Sequence, residues 1–242
     1  KILSVVNVPE SSIARESDLA LPIFAGVEVG VASTKAFTCQ LTVLLSLALK
    51  AASDRSEITP EQLADHVAAM RNIPALINAA IDQDAQMQSA ALKISEARDV
   101  LFLGRGVMYP LAHEGALKLK EISYIHAEAY ASGELKHGPI ALVDKHVPVI
   151  VMAPRDPLFD KSVSNMQEVM ARKGRVVLIS DAQGLKEAGE DTWATVEMPT
   201  VPDVVAPIVY AVPAQLLAYH TAVAKGTDVD QPRNLAKSVT VE

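Results

Sequence analysis

Cysteine, excess basic charge and long apolar runs are all scarce in this sequence, and each scarcity removes a class of protein. Cys39 is the single cysteine, so no intrachain disulfide can form, which suits a cytoplasmic location. It lies in an apolar helical pattern and reads as a small core residue rather than a nucleophile. Against 29 Asp and Glu stand 22 Lys and Arg, a formal net charge of -7. With no basic patch, nucleic acid is not an expected partner. The longest apolar stretches are interrupted by Gln40, Thr42 and Ser46, or by Pro207 and Pro213. None offers the roughly twenty apolar residues a bilayer requires, so no membrane partner is expected. Gly104-Arg-Gly106 lacks the third glycine of a dinucleotide-binding turn, and no acidic residue clearly takes the ribose role. There is no Walker sequence and no His/Cys cluster with metal-ligand spacing, so neither metal nor cofactor is expected. A signal segment is lacking too. The chain opens on Lys1 and runs at once into Ile2-Leu-Ser-Val-Val-Asn-Val8, a buried-strand pattern. It therefore reads as the C-terminal piece of something longer.

What remains is a soluble globular composition, 50% hydrophobic and 21% charged over 242 residues, enough for one large or two small domains. Strands are expected at 2–8 and 17–22, then a glycine-containing loop at 26–34 feeding a long apolar helix over 35–52. Ser33 or Thr34 is the natural cap of that helix, its hydroxyl accepting an amide of the first turn. A helix start of this kind also suits anions and sugar hydroxyls. Residues 56–97 turn helical and more polar. Thr59-Pro60 opens the first of two expected helices, with an interruption near Asn72-Ile-Pro74. Strands at 99–103, 147–152, 174–180 and 195–198 then alternate with helices: one after Gly104-Arg-Gly106 that carries Gly115–Ile122, one at 158–172 and one at 203–224. Apolar strands of this kind, alternating with helices, imply an α/β fold with a parallel sheet flanked by helices on both faces.

Chemistry-bearing residues concentrate in one stretch and in the tail. Glu114, Lys118 and Glu121 fall at i, i+4 and i+7 and share one helix face. A loop bracketed by Gly133 and Pro139 presents Lys136 and His137. Together these groups can move protons, or they can be a solvated helix face beside a turn; the pattern alone fits both. The tail from Gly226 onward matches neither helix nor strand for most of its length. A lysine in such a tail, Lys237, is by pattern a solvated charge or a nucleophilic amine.

Three blocks carry a resemblance over essentially the whole chain: Glu28-Val-Gly-Val-Ala-Ser-Thr-Lys-Ala-Phe37, Glu114 through Pro139, and Asp230-Gln-Pro-Arg-Asn-Leu-Ala-Lys-Ser-Val-Thr-Val-Glu242. They resemble the isomerase half of the glucosamine-6-phosphate synthase family, the isomerising glutamine–fructose-6-phosphate aminotransferases, built from sugar isomerase (SIS) domains. The resemblance implies a doubly wound SIS-type fold. Residues 1–56 would be the C-terminal part of a first SIS domain, 57–95 a helical connection, 96–226 a complete second SIS domain and 227–242 a catalytic tail. It further implies that Lys237 forms a Schiff base with the open-chain ketose, which requires the amine to be neutral. Glu121 would carry a proton between C1 and C2, and His137 would open the sugar ring from a partner subunit of a homodimer. Lys118, Val31, Ser33 and Ala236 would bind the sugar. No metal belongs to the implied site. The glutaminase domain and the phosphate loop would lie upstream of Lys1, and the chain alone is expected to be inactive. Two other readings stay open: a related SIS-family deglycase or deaminase of an amino-sugar phosphate, and a non-catalytic sugar-phosphate-binding module.

Overall fold

The structure, a computed structural model, describes residues 1–237. The last five residues of the expected tail, 238–242, lie outside them. The chain begins with β1 (Leu3–Val6), a short helix α1 (Ser12–Arg15) and β2 (Leu19–Pro22). The two strands pair in parallel. A loop then leads into α2 (Lys35–Asp54), followed by α3 (Pro60–Arg71), α4 (Ile73–Ile81) and α5 (Asp84–Ile94). Thr59 caps α3 as expected, and does so reciprocally: its hydroxyl takes the Gln62 amide while the Gln62 side chain takes the Thr59 amide. The segment expected to hold two helices holds three, because the chain breaks at Asp82-Gln83 as well as at Asn72.

The second unit is a five-stranded sheet. Its strands are β3 (Asp99–Gly104), β4 (His126–Ala131), β5 (Pro148–Met152), β6 (Arg175–Asp181) and β7 (Ala194–Met198), in the order β4-β3-β5-β6-β7. Every pairing is parallel. Between them run α6 (Met108–Ser123), α7 (Phe159–Met170) and α8 (Ala182–Ala188), and after β7 come α9 (Ala206–Val209) and α10 (Ala211–Lys225). The single helix expected over 203–224 is thus a short 3-10 turn and two helices meeting at Tyr210. β4 and α8 have no counterpart among the sequence expectations.

Alternate side chains of each central strand enter different cores, as the two-residue period of a strand requires. Phe102, Ile150, Met152, Val177 and Ile179 pack with α5, α6 and α10. Leu101, Leu103, Val149, Val151 and Leu178 pack under α7 and α8. That is why the strands read as unbroken apolar runs: both faces are covered. Two glycines set how closely α6 lies on the sheet. A side-chain carbon at Gly104 would come within 2.1 Å of the Met108 carbonyl oxygen, so the strand-to-helix turn admits only glycine. One at Gly115 would meet the Phe102 ring at 2.7 Å. This close seating fixes the face of α6 that carries Lys118 and Glu121.

Two helical segments, Lys35–Asp54 and Asp203–Lys225, are long and apolar enough to cross a membrane by length and composition, despite the interruptions noted in the sequence. The second is two-thirds buried in the core, which accounts for its apolarity. The first has only Leu49 fully buried, with Phe37, Leu41 and Leu45 packed part-way against the cores.

Candidate active site

The charged face of α6 is not a solvated one. Lys118 is 4% exposed. Its Nζ donates to Glu121 Oε2 at 2.7 Å and stands 3.6 Å from Glu114 Oε1, a charge contact beyond hydrogen-bond range. Glu114 Oε1 is itself buried without a hydrogen-bond partner. Burial pushes the Glu114 carboxyl above its usual range, with Glu121 adding repulsion and Lys118 opposing. The result is a dry ammonium between two carboxylates on one helix face.

The C-terminal tail comes back across this face. Thr227 donates its hydroxyl to the Ile122 carbonyl at 2.6 Å. The Arg233 amide donates to the Tyr124 hydroxyl at 2.9 Å, and the Arg233 guanidinium lies over the Tyr124 ring at 4.2 Å. Tyr124 reaches this position as the left-handed residue that ends α6, with φ 61°. On its other side the tail joins the loop before α2. The Val31 amide donates to the Asp230 carbonyl at 2.8 Å. A side-chain carbon at Gly30 would stand 3.0 Å from Asp230 Oδ1, so the glycine admits the tail. Lys237 Nζ then donates to Glu28 Oε2 at 3.2 Å.

Glu28 organises this loop. Its Oε1 accepts the amides of Thr34 at 2.9 Å and Ala36 at 3.3 Å, and the Thr34 hydroxyl at 3.3 Å. The cap of α2 is therefore a distant carboxylate; neither Ser33 nor Thr34 supplies the hydroxyl expected there. Burial alone would raise the Glu28 carboxyl. The Thr34 and Ala36 amides and the Lys237 ammonium outweigh it and hold it down at about 2.

Between the loop, α6, α10 and the tail lies a cavity of about 370 Å³, lined by Glu28, Gly30, Thr34, Lys118, Gln215 and Asp230 among others. Gln215 of α10 fixes its wall by donating to the Thr34 carbonyl at 3.2 Å. Of the residues singled out in the sequence, Lys118 lines the cavity and Glu121 is bonded to it. Val31 touches the tail through its amide. Lys237 reaches the cavity's Glu28, its side chain 44% exposed and its charged partner a carboxylate. Ser33 is half-buried beside the cavity residues, and Ala236 is exposed. His137 stands apart, exposed on the 3-10 turn Ser132–His137 with Nδ1 2.7 Å from Glu134 Oε2. Lys136 anchors that turn on Glu168 of α7 at 2.8 Å. Glu28, Tyr124 and Gln215 had no role assigned from sequence. Glu28 alone left a trace there, as a carboxylate six residues before a helix start.

At the carboxyl ends of the strands, where α/β sheets commonly bind anions, the start of α7 is already taken. Asp156 Oδ1 accepts the Leu158 amide at 2.8 Å. Burial and the nearby Asp203 carboxylate raise the Asp156 carboxyl, so a further anion there would be repelled.

A family model described as "SIS domain" matches residues 1–50 and 93–225. The chain belongs to the SIS domain family. Curated SIS relatives include the glutamine--fructose-6-phosphate aminotransferase [isomerizing] of Zymomonas mobilis, 62% identical over all 242 residues of the chain. The protein of the same name from Bradyrhizobium diazoefficiens is 59% identical over 240 residues. The chain spans 40% of the length of each. A solved structure, the C-terminal domain of glucosamine-fructose-6-phosphate aminotransferase from Francisella tularensis, is 49% identical with a TM-score of 0.92. That match covers 95% of this chain and 64% of the other. A putative phosphosugar isomerase from Silicibacter pomeroyi matches at 27% identity and TM-score 0.77, over 94% of this chain and 64% of that one. The doubly wound SIS fold expected from the sequence is the observed one.

Proposed function

We propose that the chain is the sugar-isomerising part of a glutamine–fructose-6-phosphate aminotransferase, converting fructose 6-phosphate and ammonia to glucosamine 6-phosphate in the cytoplasm. The observation that carries this reading is the return of the tail. Three blocks far apart in the chain meet at one cavity, with Lys118–Glu121 on one side and Lys237 held on Glu28 at the other. An amine and a carboxylate–ammonium pair at one cavity are what imine formation followed by proton transfer needs.

In this scheme Lys237 condenses with the ketose carbonyl. Glu121 moves a proton between C1 and C2, with Lys118 orienting its carboxylate and touching a sugar oxygen. Val31, Ser33 and Ala236 border the sugar. His137, too far out to serve the cavity of its own chain, opens the ring in a partner subunit of a homodimer. The phosphate is held by residues outside this chain, in keeping with the occupied start of α7, and a glutaminase domain supplies ammonia from upstream. The first of the two units, 1–56, then completes its SIS domain with that upstream sequence. Residues 57–95 connect it to the second domain, 96–226, and 227–242 act as the tail.

The test is Lys237→Arg in the full-length natural protein that carries this sequence. Formation of glucosamine 6-phosphate from fructose 6-phosphate and glutamine is expected to fall to background, while glutamine binding persists. Unchanged product formation would refute the role of Lys237.

A further inference from the structure

Among the cavity residues, the proposed reaction leaves Glu28 without a task, yet its two oxygens are divided in a telling way. Oε1 is spent on the start of α2, through Thr34 and Ala36. Oε2 is given to Lys237 Nζ. A cap alone needs only the first oxygen. We infer that Glu28 is the fixed counter-ion of the Lys237 nitrogen, stabilising positive charge there both before and after the lysine condenses with the ketose. This rests on the reading of Lys237 as the imine-forming residue.

The chemistry fits a counter-ion better than a base. Condensation of the ammonium with the C2 ketone makes a C=N bond, breaks the C=O bond and releases water. The carbonyl oxygen leaves with two of the three ammonium protons and the third stays on nitrogen, so the charge at Nζ is positive at both ends of the step. The attacking amine is neutral only in passing, and its proton returns to the departing oxygen. The protonated imine pulls electrons from the neighbouring C1–H bond far more strongly than a neutral imine, so holding that proton speeds the next transfer. A carboxyl held down at about 2 is a poor proton acceptor near neutral pH and a permanent negative charge. The loop keeps it in place: Gln215 holds the Thr34 carbonyl, and the Val31 amide holds the tail at Asp230.

Other charges face the same space. Lys118 on α6 is paired with Glu121 and Glu114. Lys35 on α2 donates to the Val27 carbonyl. Tyr219 on α10 and Asp230 on the tail line the wall. Among the described residues only Glu28 bonds the lysine nitrogen directly.

Glu28→Gln separates the two roles, because the amide oxygen can still accept from Thr34 and Ala36. In the full-length protein, glucosamine 6-phosphate formation is measured across pH, and borohydride reduction with fructose 6-phosphate is followed by peptide mapping. Wild type is expected to give a reduced adduct on Lys237. The variant is expected to move the alkaline limb of the kcat profile to lower pH by about one to three units, since an opposite charge at this range favours the protonated form by that much. kcat should fall more than KM rises. Glu28→Asp, which keeps the charge on a shorter arm, should retain the wild-type limb with reduced kcat, and it serves as the second reading if the glutamine variant is unstable. An alkaline limb that stays put in Glu28→Gln, with only a lower melting temperature, overturns the counter-ion role and leaves Glu28 as a loop-holding residue. Absence of any Lys237 adduct in wild type overturns the imine reading itself, and the counter-ion with it.

Discussion

At the scale of single residues, the site is decided by where carboxylates find their partners. Glu28, held down at about 2, and Glu114, lifted by burial, respond to pH in opposite senses. A depressed carboxyl stabilises the fold above its unfolded value and loses that contribution as pH falls from about 4.5 through 2. A raised carboxyl does the reverse: folding is least burdened below the unfolded value, and the cost grows as pH rises through the window above 4.5. Replacing Glu114 by Gln is therefore expected to raise the melting temperature relative to wild type, by an amount that grows from about pH 4 to about pH 7, in a pH series of thermal melts. A constant difference across that range would contradict the assignment. The sequence showed Glu114, Lys118 and Glu121 on one face, because spacing along a helix is local. It did not show that the face is dry, because burial depends on elements such as α10 that pack on α6 from far along the chain. Ser33 or Thr34 looked like the cap of α2 because a hydroxyl at the helix start is the usual acceptor, while the observed acceptor is Glu28.

At the scale of elements, α6 is the piece that must be seated correctly. Its closeness to the sheet depends on Gly115 against Phe102. Gly115→Ala puts a methyl 2.7 Å from that ring, and α6 must lift or Phe102 must leave its rotamer. Overpacking of this kind costs about 1–3 kcal/mol, expected in urea unfolding together with weakened sugar binding, because Lys118 and Glu121 move with the helix. A variant of wild-type stability would show that the sheet yields there. Most elements were legible from pattern: buried strands as apolar runs, α3 from its Thr-Pro start, the helix bearing Lys118 from its spacing. β4 was not, because His126-Ala-Glu-Ala-Tyr-Ala131 is an alanine-rich edge strand with only Ala127 and Ala129 buried. It has little of the β-branched apolar character that marks a central strand. The break at Tyr210 was hidden because the helices on either side are both apolar and buried.

At the scale of the whole molecule, the two sheets differ in how far they are covered. The five-stranded sheet is covered on both faces, whereas β1, β2 and α2 leave Ile2, Leu3, Leu19 and Leu44 exposed. Two strands and a helix cannot close a core unaided. The SIS family relation and a parallel sheet flanked by helices could be expected from the sequence; the place of β4 at the sheet edge and the docking of the tail could not, since the docking rests on Tyr124 and Glu28 contacts that no local pattern encodes. The account stands on that docking: a lysine at the far end of the chain serves a cavity walled by α6. Borohydride reduction of the full-length protein in the presence of fructose 6-phosphate, followed by peptide mapping, tests it most directly. A reduced sugar adduct on Lys237, lost when the sugar is omitted, is the expected result. An adduct confined to another lysine, or none at all, would contradict it.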